Sequence, residues 1–135
     1  MKDFGEPKIK VIAMPKDTNP AGNIFGGWIL SQIDLAGVLA ARELAPERTV
    51  TISMKEVLFK QPVFIGDAVS FYAKIIKVGN TSITVDVDVK VERFDKELKS
   101  LVCVPVTQAE VTYVSVDAAG NKKPIDPELK KMKGF

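Results

Sequence analysis

Between Asp17 and Arg42 the chain carries a single charged side chain, Asp34, set in the run GNIFGGWILSQIDLAGVLAA. From Ile24 to about Leu44 these residues suit a helix that is apolar nearly all the way round, and such a helix needs other structure wrapped about it. Asn23 is of a type that caps helices and stands where this one begins, after a Pro-, Asn- and Gly-containing loop from Pro15. A carboxylate among Trp28, Ile29, Leu30, Ile33, Leu35, Val38 and Leu39 is costly to desolvate unless something satisfies or uses it. Asp34 is therefore the first candidate for chemistry. The plainer reading is a buried helix carboxylate held by Ser31, Gln32 or a backbone group.

The remainder reads as strands: Lys8 to Met14, Thr49 to Phe59, Ala68 to Val78, Ser82 to Phe94 and Lys99 to Val116. Ile83, Val85, Val87, Val89 and Val91 alternate with Thr84, Asp86, Asp88, Lys90 and Glu92, which predicts one dry and one wet face. Gly79-Asn80 is a hairpin-type turn, so the last strands are expected to form an antiparallel meander, with Pro62 and Pro105 at an edge, boundary or bulge. Glu56, the next carboxylate to consider, shares a strand face with Ile52, Met54 and Leu58 or sits at an edge on the surface beside Lys55 or Lys74, and Cys103 is buried filler between Val102 and Val104. The expected architecture is α+β, an antiparallel sheet around one long central helix.

At 135 residues the chain suits one domain. Its core is expected over about 8–117, with 118–135 a flexible tail because NKKPIDPELKKMKGF holds five lysines, two prolines and little apolar content. There is no histidine and one cysteine, which excludes a Ser-His-Asp triad, a Cys-His pair, an imidazole metal site and an internal disulfide. Proton transfer near neutral pH then falls to a carboxylate, lysine or tyrosine. The formal net charge of +2 is too small to suggest nucleic-acid binding. MKDFGEPKIK lacks the apolar core of a signal peptide, and the apolar stretch around Asp34 is too interrupted to span a membrane. A cytoplasmic protein without membrane or nucleic-acid partners is expected.

MPKDTNPAGNIFGGWILSQIDLAG resembles the signature of the hot-dog-fold acyl-CoA thioesterases of the YciA-like group. The FKQPVFIGD segment, the KVGNTSI turn, the final long strand and the order of elements match the same family from about Lys8 to Asp117. The resemblance implies hydrolysis of acyl-CoA to CoA and a carboxylic acid, with no separate cofactor, in dimers assembled further as trimers of dimers. It also implies that Gly79, Asn80, Thr81 and Ser82 contact the CoA portion. Ordinary hairpin chemistry explains Gly79-Asn80 equally well.

Gly26 and Gly27 put two residues without side chains in the first helical turn, where backbone N–H groups lack partners and the helix dipole is positive. They suit an oxyanion; their plainer role is tight packing of the helix start against the sheet. Asn23 either orients water or the thioester carbonyl, or only caps the helix. Asp34 lies seven positions after Gly27, about 10 Å along one helix. That is far for groups acting on one carbonyl, and the spacing supports the shared two-subunit site that the resemblance implies. Asp34 then serves as general base on water, or as nucleophile through a mixed anhydride. Phe25, Trp28 and Phe59 are available to line an acyl tunnel, and Lys60, Lys77, Arg93 and the tail lysines to meet phosphates. Two other classes stand beside hydrolysis: a silent acyl-CoA sensor or assembly module, and an acyl-thioester hydratase or dehydratase, which usually needs the histidine missing here.

Overall fold

The computed structural model describes residues 4–135, so the first three residues of the amino-terminal stretch discussed above lie outside the described residues. Strand β1 (Ile9–Ile12) precedes helix α1 (Gly26–Ala41), followed by β2 (Thr49–Lys55), β3 (Ala68–Val78), β4 (Ser82–Asp95), β5 (Ser100–Ser115) and a short helix α2 (Pro127–Met132). The five strands form one antiparallel sheet in the order β1-β3-β4-β5-β2. Because β1 and β2 occupy opposite edges, the segment joining them must cross the whole face. Its 16-residue helix spans about 24 Å at 1.5 Å per residue, against about 19 Å for four interstrand spacings.

The α+β architecture is the expected one, and its core follows the alternation in β4. Ile83, Val85, Val87, Val89 and Val91 are all buried with Ile29, Ile33, Ala36, Ala40 and Ala41 of α1. Burial of each large side chain is worth about 1.5–3 kcal/mol. The opposite face is not simply wet: Asp86 is only 6% exposed and Asp88 half-buried. β4 is the central strand, and Lys74 and Tyr72 of β3 with Glu110 and Gln108 of β5 flank these carboxylates in register.

Burial pushes the Asp88 carboxyl above the ordinary value of 3.8, with Lys90 opposing the rise and Asp86 adding to it. The folded protein thus holds this proton more tightly than the unfolded chain, and the resulting stability is full below 3.8 and lost as pH rises through the raised value. The Lys90 contact, 3.9 Å and partly solvated, offsets little. Asp88→Asn is expected to raise the melting temperature at neutral pH by about 2 °C. Calorimetry should show that gain shrinking as the pH is lowered to about 4.

Several expected boundaries move for local reasons. The helix begins at Gly26, with Phe25 in the cap position and no side-chain cap, so Asn23 lies outside it. β2 ends at Lys55 because Glu56 adopts φ 59°, and a bulge between Thr51 and Ser53 changes the register; Glu56 is exposed and shares no strand face with Leu58. Cys103 is exposed rather than buried. It pairs with Glu92 near the end of the β3–β4 ladder, where β2, paired only over Glu110–Ser115, does not reach.

The carboxy-terminal segment, expected to fray, is instead placed against the sheet. Ile125 is 3% exposed and its N–H donates to the Asn80 carbonyl at 2.9 Å. Asp126 caps α2 through the Glu128 N–H, and Lys130 Nζ donates to the Gly79 carbonyl at 3.1 Å. Ile125 and the partly buried Leu129 are the apolar contacts of this segment with the core.

A single sheet covers only one side of a helix. Leu35 of α1 stays 54% exposed and Ile52 of β2 59%, so the wrapping that the apolar helix requires is incomplete within one chain. No helix among the described residues is long and apolar enough to cross a membrane.

Candidate active site

Asp34 sits on α1, half-buried, against the paired strands β2 and β5. Thr51 Oγ1 donates to its Oδ1 at 2.8 Å. The Tyr113 hydroxyl donates to its backbone carbonyl at 2.8 Å. Thr51 and Tyr113 are directly opposed in the β2–β5 ladder, so both side chains leave the same face of the sheet. The bulge that follows Thr51 breaks the regular register there, a feature that re-aims side chains near functional sites. Ser31, one of the expected partners, donates to the Trp28 carbonyl instead. Burial, followed by the neighbouring Asp34 charge, pushes the Tyr113 hydroxyl well above its ordinary value of 10.0. The shift favours the protonated hydroxyl that donates to the Asp34 carbonyl.

At the helix start, Trp28 and Ile29 donate to the Phe25 carbonyl. The Gly26 and Gly27 N–H groups donate to no protein acceptor among the described residues. A side chain added at Gly27 would meet nothing within 4 Å, and one at Gly26 would meet only the Phe59 ring, at 3.5 Å. Close packing within this chain therefore does not account for Gly27. Asn23 is held by its backbone: its N–H donates to Asn19 Oδ1 at 3.1 Å and its carbonyl accepts from the Asn19 N–H at 2.7 Å. This closed loop fixes the approach to the helix without using the Asn23 amide as a cap.

A cavity of about 310 Å³ opens beside this turn, walled by Asn19, Asn23, Gly26, Phe59, Lys60 and Gln61 over a floor that includes Ile24, Ile29 and Val63. Its far wall is the segment after β2, held by β5 and the helix approach. The Lys60 N–H donates to the Val106 carbonyl, Thr107 Oγ1 to the Leu58 carbonyl at 2.6 Å, and the Ile24 N–H to the Val63 carbonyl. The same segment is locked by Arg93, whose Nη2 donates to Asp67 Oδ2 at 2.8 Å and to the Pro62 carbonyl at 3.0 Å. Its guanidinium stacks over Phe64. Arg93 is thus a strut for the cavity wall, not the loose cation considered for phosphate contact.

Of the residues singled out in the sequence, Asn23, Gly26 and Phe59 meet around the cavity, with Gly27 next along the helix. Asp34 is not among its lining residues. Trp28 packs edge-on against Phe71 in the core and Phe25 is 48% exposed, so neither lines it. Gly79, Asn80, Thr81 and Ser82 form the β3–β4 turn. The carbonyls of Gly79, Asn80 and Thr81 are taken up by Lys130, Ile125 and Ser115, while the Asn80 and Thr81 N–H groups have no protein acceptor among the described residues. Thr51 and Tyr113 are the site residues that sequence reasoning missed, since the bulged β2–β5 register brings them to Asp34.

The sequence profile of the Thioesterase superfamily matches residues 21–95, the stretch that holds the glycine turn, Asp34, Thr51 and the cavity wall. The chain is similar to a hexameric hotdog fold thioesterase of Campylobacter jejuni, with 63% identity and a TM-score of 0.94 over 99% of this chain and 100% of that one. It is similar to a hexameric broad specificity acyl-coenzyme A thioesterase solved as an aspartate-to-alanine mutant enzyme, at 38% identity and a TM-score of 0.82 over 94% of each chain. The acyl-CoA thioester hydrolase YciA of Salmonella typhimurium is 39% identical over 127 residues, 90% of each chain. With an apolar helix laid across an antiparallel sheet, bare amides at its start and an aspartate midway, this chain belongs to the hot-dog thioesterase superfamily.

Proposed function

We propose that this chain hydrolyses acyl-CoA thioesters to CoA and a free carboxylic acid, in sites formed between two copies of itself. The observation that carries the reading is the pair of unengaged N–H groups at Gly26 and Gly27, opening beside a cavity, with a carboxylate further along the same helix. Such donors suit the oxyanion of an attacked carbonyl. Asp34 stands about 10 Å along α1 from Gly27, so Asp34 of one subunit serves the glycine turn of its partner. The exposed Leu35 and Ile52 beside it are the surfaces a second copy would cover.

In the reaction, Asp34 removes a proton from water as the water oxygen bonds to the thioester carbon, and the carbonyl oxygen becomes an oxyanion facing Gly26 and Gly27. Collapse of this intermediate breaks the C–S bond, and the CoA sulfur leaves as thiolate. The proton held by Asp34 passes to solvent or to the thiolate. A thiolate is a weakly basic leaving group, so no strong general acid is needed and the absence of histidine is no obstacle. The reaction consumes only water and thioester, without a cofactor. Asn23, on the cavity wall, orients the carbonyl or the water, and Phe59 lines the acyl path. The free N–H groups of Asn80 and Thr81, with Ser82, suit polar oxygens of CoA. The hexameric state of similar thioesterases favours a trimer of dimers, and the reducing cytoplasm suits both CoA and the unpaired Cys103.

Purified protein offered short-, medium- and long-chain acyl-CoAs should release free thiol in step with substrate loss, as read with a chromogenic thiol reagent. Binding of acyl-CoA without thiol release would replace this reading with that of a sensor.

A further inference from the structure

Tyr113 is fully buried, yet it is a tyrosine rather than a phenylalanine in a core whose other large side chains, Phe71, Leu44, Ile33 and Ile83 among them, carry no polar atom. Its hydroxyl reaches α1 only because residue 37 is glycine. A side chain at Gly37 would overlap the Tyr113 oxygen and lie within 3.0 Å of two ring carbons. In that notch the hydroxyl donates to the Asp34 carbonyl at 2.8 Å. Within the helix this carbonyl already faces the N–H of residue 38, so the tyrosine is not required to complete the helix ladder. Its strand partner Thr51 grips the Asp34 side chain at 2.8 Å. Backbone and carboxylate of one residue are thus held from two opposed positions of adjacent strands.

We propose that Tyr113, seated in the Gly37 notch, is a positioning residue for Asp34, fixing the helix against β5 so that the carboxylate stays in register with Thr51 and with the carbonyl it serves. The proposal rests on the reading of Asp34 as the proton acceptor. Tyr113 touches no reacting atom and acts through the helix backbone. A displacement of the base by a fraction of an ångström lowers the rate of the chemical step without altering how CoA is held.

Steady-state thiol release by Tyr113→Phe, which keeps the ring and removes only the hydroxyl, is expected to show kcat lowered about tenfold with KM within about twofold of wild type. Thermal unfolding should show the variant fully folded at the assay temperature. Gly37→Ala, whose Cβ would overlap the hydroxyl and crowd two ring carbons, is expected to lower kcat at least as far. Asp34→Asn is assayed alongside. A wild-type kcat in Tyr113→Phe, or a raised KM with kcat unchanged, while Asp34→Asn is inactive, overturns the positioning role and leaves Asp34 as the base. Wild-type turnover in Asp34→Asn removes the base itself, and this proposal with it.

Discussion

Replacing Asp34 by asparagine is expected to lower the turnover of acyl-CoA about a thousandfold, the middle of the range for loss of a general base. Asparagine has the same shape, and its amide oxygen can still accept the hydrogen bond from Thr51 Oγ1 now seen at 2.8 Å. The backbone tie to Tyr113 is untouched because it goes to the carbonyl. What the substitution removes is the capacity to take a proton. KM should change little, since the acyl group and CoA are held by other residues. Asp34→Ala should lose a similar factor while also leaving Thr51 without this partner. Steady-state thiol release with both variants checks the expectation, and unchanged turnover in both would remove Asp34 from the mechanism as base and as nucleophile alike.

Arg93→Met is expected to produce the largest loss of stability. The Asp67 side chain is 5% exposed and the Arg93 side chain 24%, and Asp67 Oδ2 receives both the guanidinium and the Phe64 N–H, each within 2.9 Å. Methionine fills much of the same space but leaves a buried carboxylate without its counter-charge, which costs about 3 kcal/mol. For a chain of this size that lowers the melting temperature by about 10 °C. Asp67→Asn added to Arg93→Met should recover much of the loss, because it removes the stranded charge. Since Arg93 also binds the Pro62 carbonyl, the cavity wall loosens in the single variant and KM for acyl-CoA should rise. A melting temperature for Arg93→Met within a degree or two of wild type would show that the pair is not a strut.

The sheet was legible wherever one face had to be dry. The alternation from Ile83 to Val91 announced the central strand, and Ala68–Val78 was bounded by turn residues on both sides. The long helix was evident from its apolar content, but its start moved to Gly26 because Asn23 spends its backbone in a loop with Asn19. Asp34 and the glycine pair stand out by composition alone: one charge in an apolar run, two bare residues at a helix start. Thr51 and Tyr113 did not, because their nearness to Asp34 depends on a long-range strand register with a bulge in it, which no local pattern encodes. The role of Arg93 was hidden for a related reason. Residue type marks it as a cation, and only the fold discloses that Asp67 holds it. The carboxy-terminal segment is similar: composition does not disclose that Ile125 is buried and that Lys130 donates to the Gly79 carbonyl.

Subunit complementation tests most directly the claim that each site joins Asp34 of one copy to the glycine turn of another. Gly27→Pro deletes an N–H donor in the first helical turn, where that group has no intrahelical partner to lose, at a position where a Cβ meets nothing within 4 Å. Gly27→Pro and Asp34→Asn are each expected to be nearly inactive. Unfolded together in equal amounts and refolded, they should regain roughly a quarter of wild-type activity, because half of the two-fold pairs are mixed and each mixed pair holds one intact site of two. Activity no higher than that of the separate variants, in a refolded sample shown to contain mixed pairs, would place both groups in one subunit's site and contradict the account.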